Sequence, residues 1–103
     1  MENAKITIQD ILSLKNKRKI TMLTAYDYPL ASLVDKAGID MILVGDSLAN
    51  VVLGLDSTTK VGMPEMIHHA KAVTRAVKHA LVVGDMPYDS YQVNPEDSVK
   101  NAA

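Results

Sequence analysis

Three short apolar runs constrain this 103-residue chain more than any other feature. They are residues 20–25 (Ile20-Thr21-Met22-Leu23-Thr24-Ala25), 41–44 (Met41-Ile42-Leu43-Val44) and 80–83 (Ala80-Leu81-Val82-Val83). The second and third do not alternate apolar with polar, so neither face suits water, as in strands of parallel sheets covered on both sides. The segments between them read as helices. Pro29 can open one that runs to Ala37 and ends at Gly38 as a C-terminal cap. Residues 63–78 form the clearest helix: Gly62 occupies the cap, Pro64 sits in the tolerant first turn, and Glu65 faces the positive helix end. Its apolar face collects Met66, Ile67, Ala70, Val73 and Val77. Ahead of the first strand, Thr7 with Asp10 three residues on is a capping-box variant for a short helix. Ile8, Ile11, Leu12 and Leu14 supply its apolar side. Asn94-Pro95-Glu96-Asp97 announces a further helix after the third strand.

Repeated strand–helix units predict an α/β fold with a parallel sheet. Three parallel strands leave two open edges and one uncovered face, whereas a complete eightfold barrel takes about 250 residues. Residues 1–103 therefore read as an incomplete (β/α)8-barrel domain: an N-terminal helix, strands one to three and the start of the third helix. A short doubly wound domain is the alternative.

Composition removes several classes of function. The formal net charge is −1, so no basic field invites nucleic acid. The absence of cysteine excludes disulfides and thiolate metal sites. The N-terminus lacks the apolar stretch of a signal peptide, and no run approaches the roughly 18 apolar residues of a membrane span. A cytoplasmic location is expected. Without Phe or Trp, the core must come from Leu, Ile, Val, Met and Ala. The basic cluster from Lys15 to Lys19 reads as a solvated turn that suits a helix C-terminus.

The chemistry concentrates where two strands end alike. Val44-Gly45-Asp46-Ser47 follows the second strand and Val83-Gly84-Asp85-Met86 follows the third. Residues just past strand C-termini face the active site in parallel α/β sheets. Neighbouring strands lie about 4.8 Å apart, so Asp46 and Asp85 can share a cation. Two close carboxylates repel unless a cation neutralises them, and magnesium prefers such oxygen ligands. The competing reading makes each Asp a turn or cap residue. Asp27, with no Gly before it, reads as a helix cap. Ser47 can donate to a substrate carboxylate or serve only its turn. His68 and His69 lack an i+4 partner for a metal pair, and one of them is expected to face solvent or a neighbouring subunit. Met63 and Met66 read as gap-filling core residues. Tyr88 and Tyr91 can line a pocket or simply pack. The loop over residues 45–62 is long enough to be a functional segment.

Several stretches, in order, resemble the ketopantoate hydroxymethyltransferase family. They are Thr21-Met22-Leu23-Thr24-Ala25-Tyr26-Asp27-Tyr28, Ala37-Gly38-Ile39-Asp40, Val44-Gly45-Asp46-Ser47-Leu48, Asn50-Val51-Val52-Leu53-Gly54, Asp85-Met86-Pro87 and Ser90-Tyr91. The resemblance implies the N-terminal part, about three β/α units, of a TIM (β/α)8 barrel of the phosphoenolpyruvate mutase and isocitrate lyase group. It implies transfer of a hydroxymethyl group from 5,10-methylenetetrahydrofolate to 3-methyl-2-oxobutanoate, giving 2-dehydropantoate for pantothenate synthesis. It also implies Asp46 and Asp85 as Mg2+ ligands, Ser47 and Asp85 as oxo-acid contacts, and a homo-oligomer at full length. The family's substrate-binding Lys, its water-mediated acidic metal partner and its catalytic Glu belong to later strands. No catalytic residue is therefore expected here, and the chain alone is expected to be inactive and only marginally able to fold. Two departures fall in the loop: Ala49 stands where the family commonly has Gly, and Thr59-Lys60-Val61-Gly62 replaces a more typical Leu-Pro-Val-Thr.

Other readings keep part of this. Another magnesium-dependent lyase or mutase of the same barrel group would retain the carboxylates and change the substrate. A receiver-like regulatory domain would use Asp85 as phosphoacceptor near Asp27 or Asp46, but needs two further strands and a late Lys. An inactive truncated fragment, or one half of a split enzyme, is the last.

Overall fold

A computed structural model describes residues 5–87 and Glu96. Its elements are α1 (Ile8–Ser13), β1 (Met22–Thr24), α2 (Tyr28–Lys36), β2 (Met41–Val44), α3 (Leu48–Val51), α4 (Met63–Ala76) and β3 (Leu81–Gly84), with a 3-10 turn at Thr58–Lys60. The three strands form one parallel sheet in the order β1-β2-β3, as the strand–helix alternation predicts. That order places β2 at the centre, whereas a receiver-like domain places its first strand between the second and third. The helix expected from Asn94 lies outside the described residues, apart from Glu96, which is helical and exposed. No helix among the described residues is long and apolar enough to cross a membrane.

One face of the sheet is the core. Ile42 and Val44 of β2 are fully buried, and they pack with Ala25, Ala31, Leu48, Val61, Met66, Val73, Val77 and Ala80. Helices α2 and α4 lie against each other and cover this face. The burial of β2 alternates: Met41 and Leu43 are only half-buried. Its unbroken apolar sequence predicts two covered faces, but no helix covers the second face among the described residues. Met22 and Leu23 of β1 are exposed for the same reason.

The ends of the helices follow the sequence. Thr7 accepts from Asp10 N–H at 3.1 Å and Asp10 returns the favour to Thr7 N–H at 2.8 Å, a complete capping box. Asp27 caps α2 by accepting from Leu30 N–H at 3.0 Å, and Gly38 ends it with φ +87°. Glu65 accepts from Gly62 N–H at 2.8 Å at the start of α4. That helix stops at Ala76, short of the predicted 78, because Val77 turns extended. The apolar side of α1 is present but not covered: Ile8 and Leu12 are 66% and 64% exposed. Ile67 of α4 is exposed too.

Two buried aspartates, neither distinguished by sequence pattern, hold the entry side of the sheet. Asp40 precedes β2 and is 3% exposed. It takes both terminal nitrogens of Arg18 at 2.8 and 2.9 Å, and Thr21 N–H at 2.9 Å. Thr21 Oγ1 donates to the same carboxylate at 3.1 Å and accepts from Asp40 N–H at 3.0 Å. These bonds fix the start of β1 beside the start of β2. So one member of the basic cluster, Arg18, does have a structural partner. Asp35 of α2 accepts the N–H groups of Lys78, His79 and Ala80 at 2.8 to 3.3 Å, gripping the chain as it enters β3. Lys5 Nζ donates to Ala80 O and Ile6 N–H to His79 O, which straps the N-terminal segment to the same place.

Arg18, then the Thr21 N–H, hold Asp40 far below the usual carboxylate range, outweighing the opposing effect of burial. Burial pushes Asp35 up, but the N–H groups of Ala80, Lys78 and His79 together outweigh it, so its pKa is also lowered. A carboxylate with a folded pKa below its unfolded value stabilises the fold above about pH 4, and that contribution is lost as pH falls through the folded value. Urea-unfolding midpoints are therefore expected to fall as pH drops below about 4, with a shallower fall in Asp40→Asn. Asp40→Ala, which strips Thr21 N–H of its acceptor, is expected to cost about 1–3 kcal/mol at neutral pH by the same measurement.

Candidate functional site

The register of β2 and β3 decides what stands at the carboxyl ends of the strands. Val44 pairs with Gly84, so both strands finish at the same height. Asp85 N–H donates to Val44 O at 3.0 Å, which carries the pairing one residue past β3. The Asp85 carboxylate folds over the neighbouring strand end and accepts from Asp46 N–H at 3.4 Å, a long bond. Asp46 and Asp85 thus stand side by side on one rim, as the repeated Val-Gly-Asp predicts. Gly45 makes this approach possible. A Cβ on Gly45 would meet Asp85 Oδ2 at 3.2 Å, tighter than ordinary contact.

After β2 the chain turns at once into α3. Leu48 N–H donates to Gly45 O and Ala49 N–H to Asp46 O, at 3.1 and 3.0 Å, and both Leu48 and Ala49 are fully buried. The Ala49 methyl is part of the core. Asn50 Nδ2 donates to Leu55 O at 2.8 Å, and Gly54 with φ +71° lets the loop reverse. Ser47 occupies the cap position of α3 but makes no cap hydrogen bond. Its Oγ meets Tyr26 Oη at 2.5 Å instead. His69, half-buried on α4, has Nδ1 2.6 Å from Tyr26 O, while exposed His68 stands edge-on to it.

The remaining expected residues separate. Asp27 is occupied as a cap of α2. Met66 is buried in the core, and Met63 is half-buried beside a groove of about 300 Å³ that also includes Ile67, Gly84, Asp85 and Met86. Tyr88 and Tyr91, with Ser90, lie outside the described residues. Tyr26 and His69 gave no sequence signal as a pair; only the fold joins positions 43 residues apart.

The donor set suits a hard divalent cation. Both candidates are carboxylates, Asp46 half-buried and Asp85 exposed, and among the described residues neither pairs with a Lys or Arg. No group of three or more His, Cys, Asp or Glu side chains among the described residues could enclose a metal. Two carboxylates with open sides match magnesium, which keeps waters and accepts substrate oxygens rather than an all-protein cage.

The sequence matches the family model described as ketopantoate hydroxymethyltransferase over residues 5–103. It is 58% identical over 98 residues to the 3-methyl-2-oxobutanoate hydroxymethyltransferase of Syntrophobacter fumaroxidans, covering 95% of this chain and 35% of that protein. The like-named protein of Ignicoccus hospitalis is 60% identical over 95% of this chain and 38% of its own length. That of Syntrophomonas wolfei is 65% identical over 85% of this chain and 32% of its own length. The chain thus spans about a third of the length of the curated relatives it matches.

Gly45→Ala is expected to displace the Asp85 carboxylate by a few tenths of an ångström. The Asp46 amide resonance should shift, with the melting temperature nearly unchanged. An unmoved Asp46 amide would show that the close approach at Gly45 does not govern the carboxylate.

Proposed function

The chain belongs to the ketopantoate hydroxymethyltransferase family, and from that premise we propose that its strand ends bind the metal and the oxo acid in hydroxymethyl transfer to 3-methyl-2-oxobutanoate. The one-carbon donor in this reading is 5,10-methylenetetrahydrofolate and the product is 2-dehydropantoate, for pantothenate synthesis. The three β/α units form part of a (β/α)8 barrel of the phosphoenolpyruvate mutase and isocitrate lyase group. The observation that carries the reading is the shared rim of Asp46 and Asp85, joined by Asp46 N–H to Asp85 Oδ2. The names of the relatives support the substrate class.

Asp46 and Asp85 would hold Mg2+, which when bound supplies Lewis acidity to the oxygens of a 2-oxo acid. The work of the chain's own residues is binding and orientation. Asp46 and Asp85 bring negative charge to a rim that two strand ends keep rigid. Ser47 directs a hydroxyl toward the substrate carboxylate. Removing the proton at C3 requires a general base, and this reading assigns that role to none of the residues of the site.

Asp46→Asn and Asp85→Asn are each expected to weaken Mn2+ binding, read by electron paramagnetic resonance, by at least about tenfold, since even supporting residues around a metal typically matter that much. Wild-type affinity in both variants would remove the metal site.

A further inference from the structure

Tyr26 has no role in the site as described so far. It lies just past β1 and is 7% exposed. Two contacts hold it. Its carbonyl oxygen lies 2.6 Å from His69 Nδ1, and its hydroxyl lies 2.5 Å from Ser47 Oγ. A carbonyl can only accept, so Nδ1 of His69 carries the proton. His69 belongs to α4, which Met66 and Val73 anchor in the core, so the backbone of Tyr26 is tied to a rigid element.

The hydroxyl pair has a preferred direction. The distance allows either oxygen to donate; a phenol is the more acidic hydroxyl, and the direction this favours has Tyr26 giving its proton to Ser47 Oγ. The Ser47 proton is then left for a second acceptor, and a hydroxyl that already accepts becomes a better donor. The Ser47 side chain makes no cap hydrogen bond to α3. Ser47 adjoins Asp46, whose N–H donates to the Asp85 carboxylate, so its hydroxyl stands at the rim where a ligand can accept from it.

We propose that Tyr26 is a positioning residue that fixes Ser47 Oγ from behind, so that the Ser47 hydroxyl donates to a carboxylate oxygen of a small oxo acid at the rim, while His69 holds Tyr26 in place. The identity of the ligand rests on the reading under Proposed function; the ordering of Ser47 does not.

Nuclear magnetic resonance on the full 103-residue chain separates the two. Without ligand, the Ser47 Hα–Hβ couplings should report one rotamer in the wild type and averaging in Tyr26→Phe, which keeps the ring. Equal couplings in both would overturn the proposal. Ser47→Ala tests the bond from its other end: the Tyr26 hydroxyl proton, protected in the wild type, should exchange freely, and unchanged protection would also overturn it. With Mg2+ present, Tyr26→Phe should raise the Kd for 3-methyl-2-oxobutanoate about fivefold to tenfold, the worth of one hydrogen bond. Mn2+ affinity without the oxo acid should not change. Tyr26→Phe/Ser47→Ala should bind no more weakly than Ser47→Ala alone, and additive losses would overturn the positioning role. A chain that binds neither metal nor oxo acid, yet orders Ser47 only when Tyr26 keeps its hydroxyl, would remove the oxo-acid reading and uphold the positioning.

Discussion

The in-phase pairing of β2 with β3 is the constraint on which the site depends. Val44 opposite Gly84 sets both following residues at one level, and Asp85 N–H bonded to Val44 O prevents slippage at the end of the pair. A slip of one residue would send every side chain of β3 to the other face and carry Asp85 away from Asp46. The buried aspartates guard against this from the opposite end of the sheet. Asp40 ties β2 to β1, and Asp35 fixes where β3 begins by taking three consecutive N–H groups. Strength at the entry side and chemistry at the exit side is the division of labour expected of parallel α/β architecture.

Much of this was legible because it is local. The apolar runs, the Gly and Asp that follow two of them, and the caps at Thr7, Asp27 and Gly62 each depend on residues within about four positions. Sequence also placed Asp46 and Asp85 on one rim, since adjacent strands of a parallel sheet end on the same side. The (β/α)8 closure is a different matter: three parallel strands with one covered face carry the α/β class and no more.

What escaped the sequence reading is long-range. Asp35 meets its partners 43 to 45 positions away, and Asp40 reaches Arg18 across 22. No local pattern separates these aspartates from an ordinary helix-surface or turn residue; only the packing of α2 on α4 and the parallel pairing bring the donors in. The contact of Tyr26 with Ser47 is of the same kind, linking the ends of two strands. The apolar stripe of α1 shows the reverse failing. It correctly marks a helix, but a stripe says only that a side seeks cover, and Ile8 and Leu12 remain open to water.

The outer margin of β1 has a practical consequence for anyone handling the polypeptide. It bears Met22 and Leu23 in the open, beside main-chain groups that no further strand among the described residues takes up. Such a margin is a template for another strand, from any chain that can reach it. A charged side chain in place of Leu23 is the kind of change that natural sheets use to keep unwanted strands from pairing there.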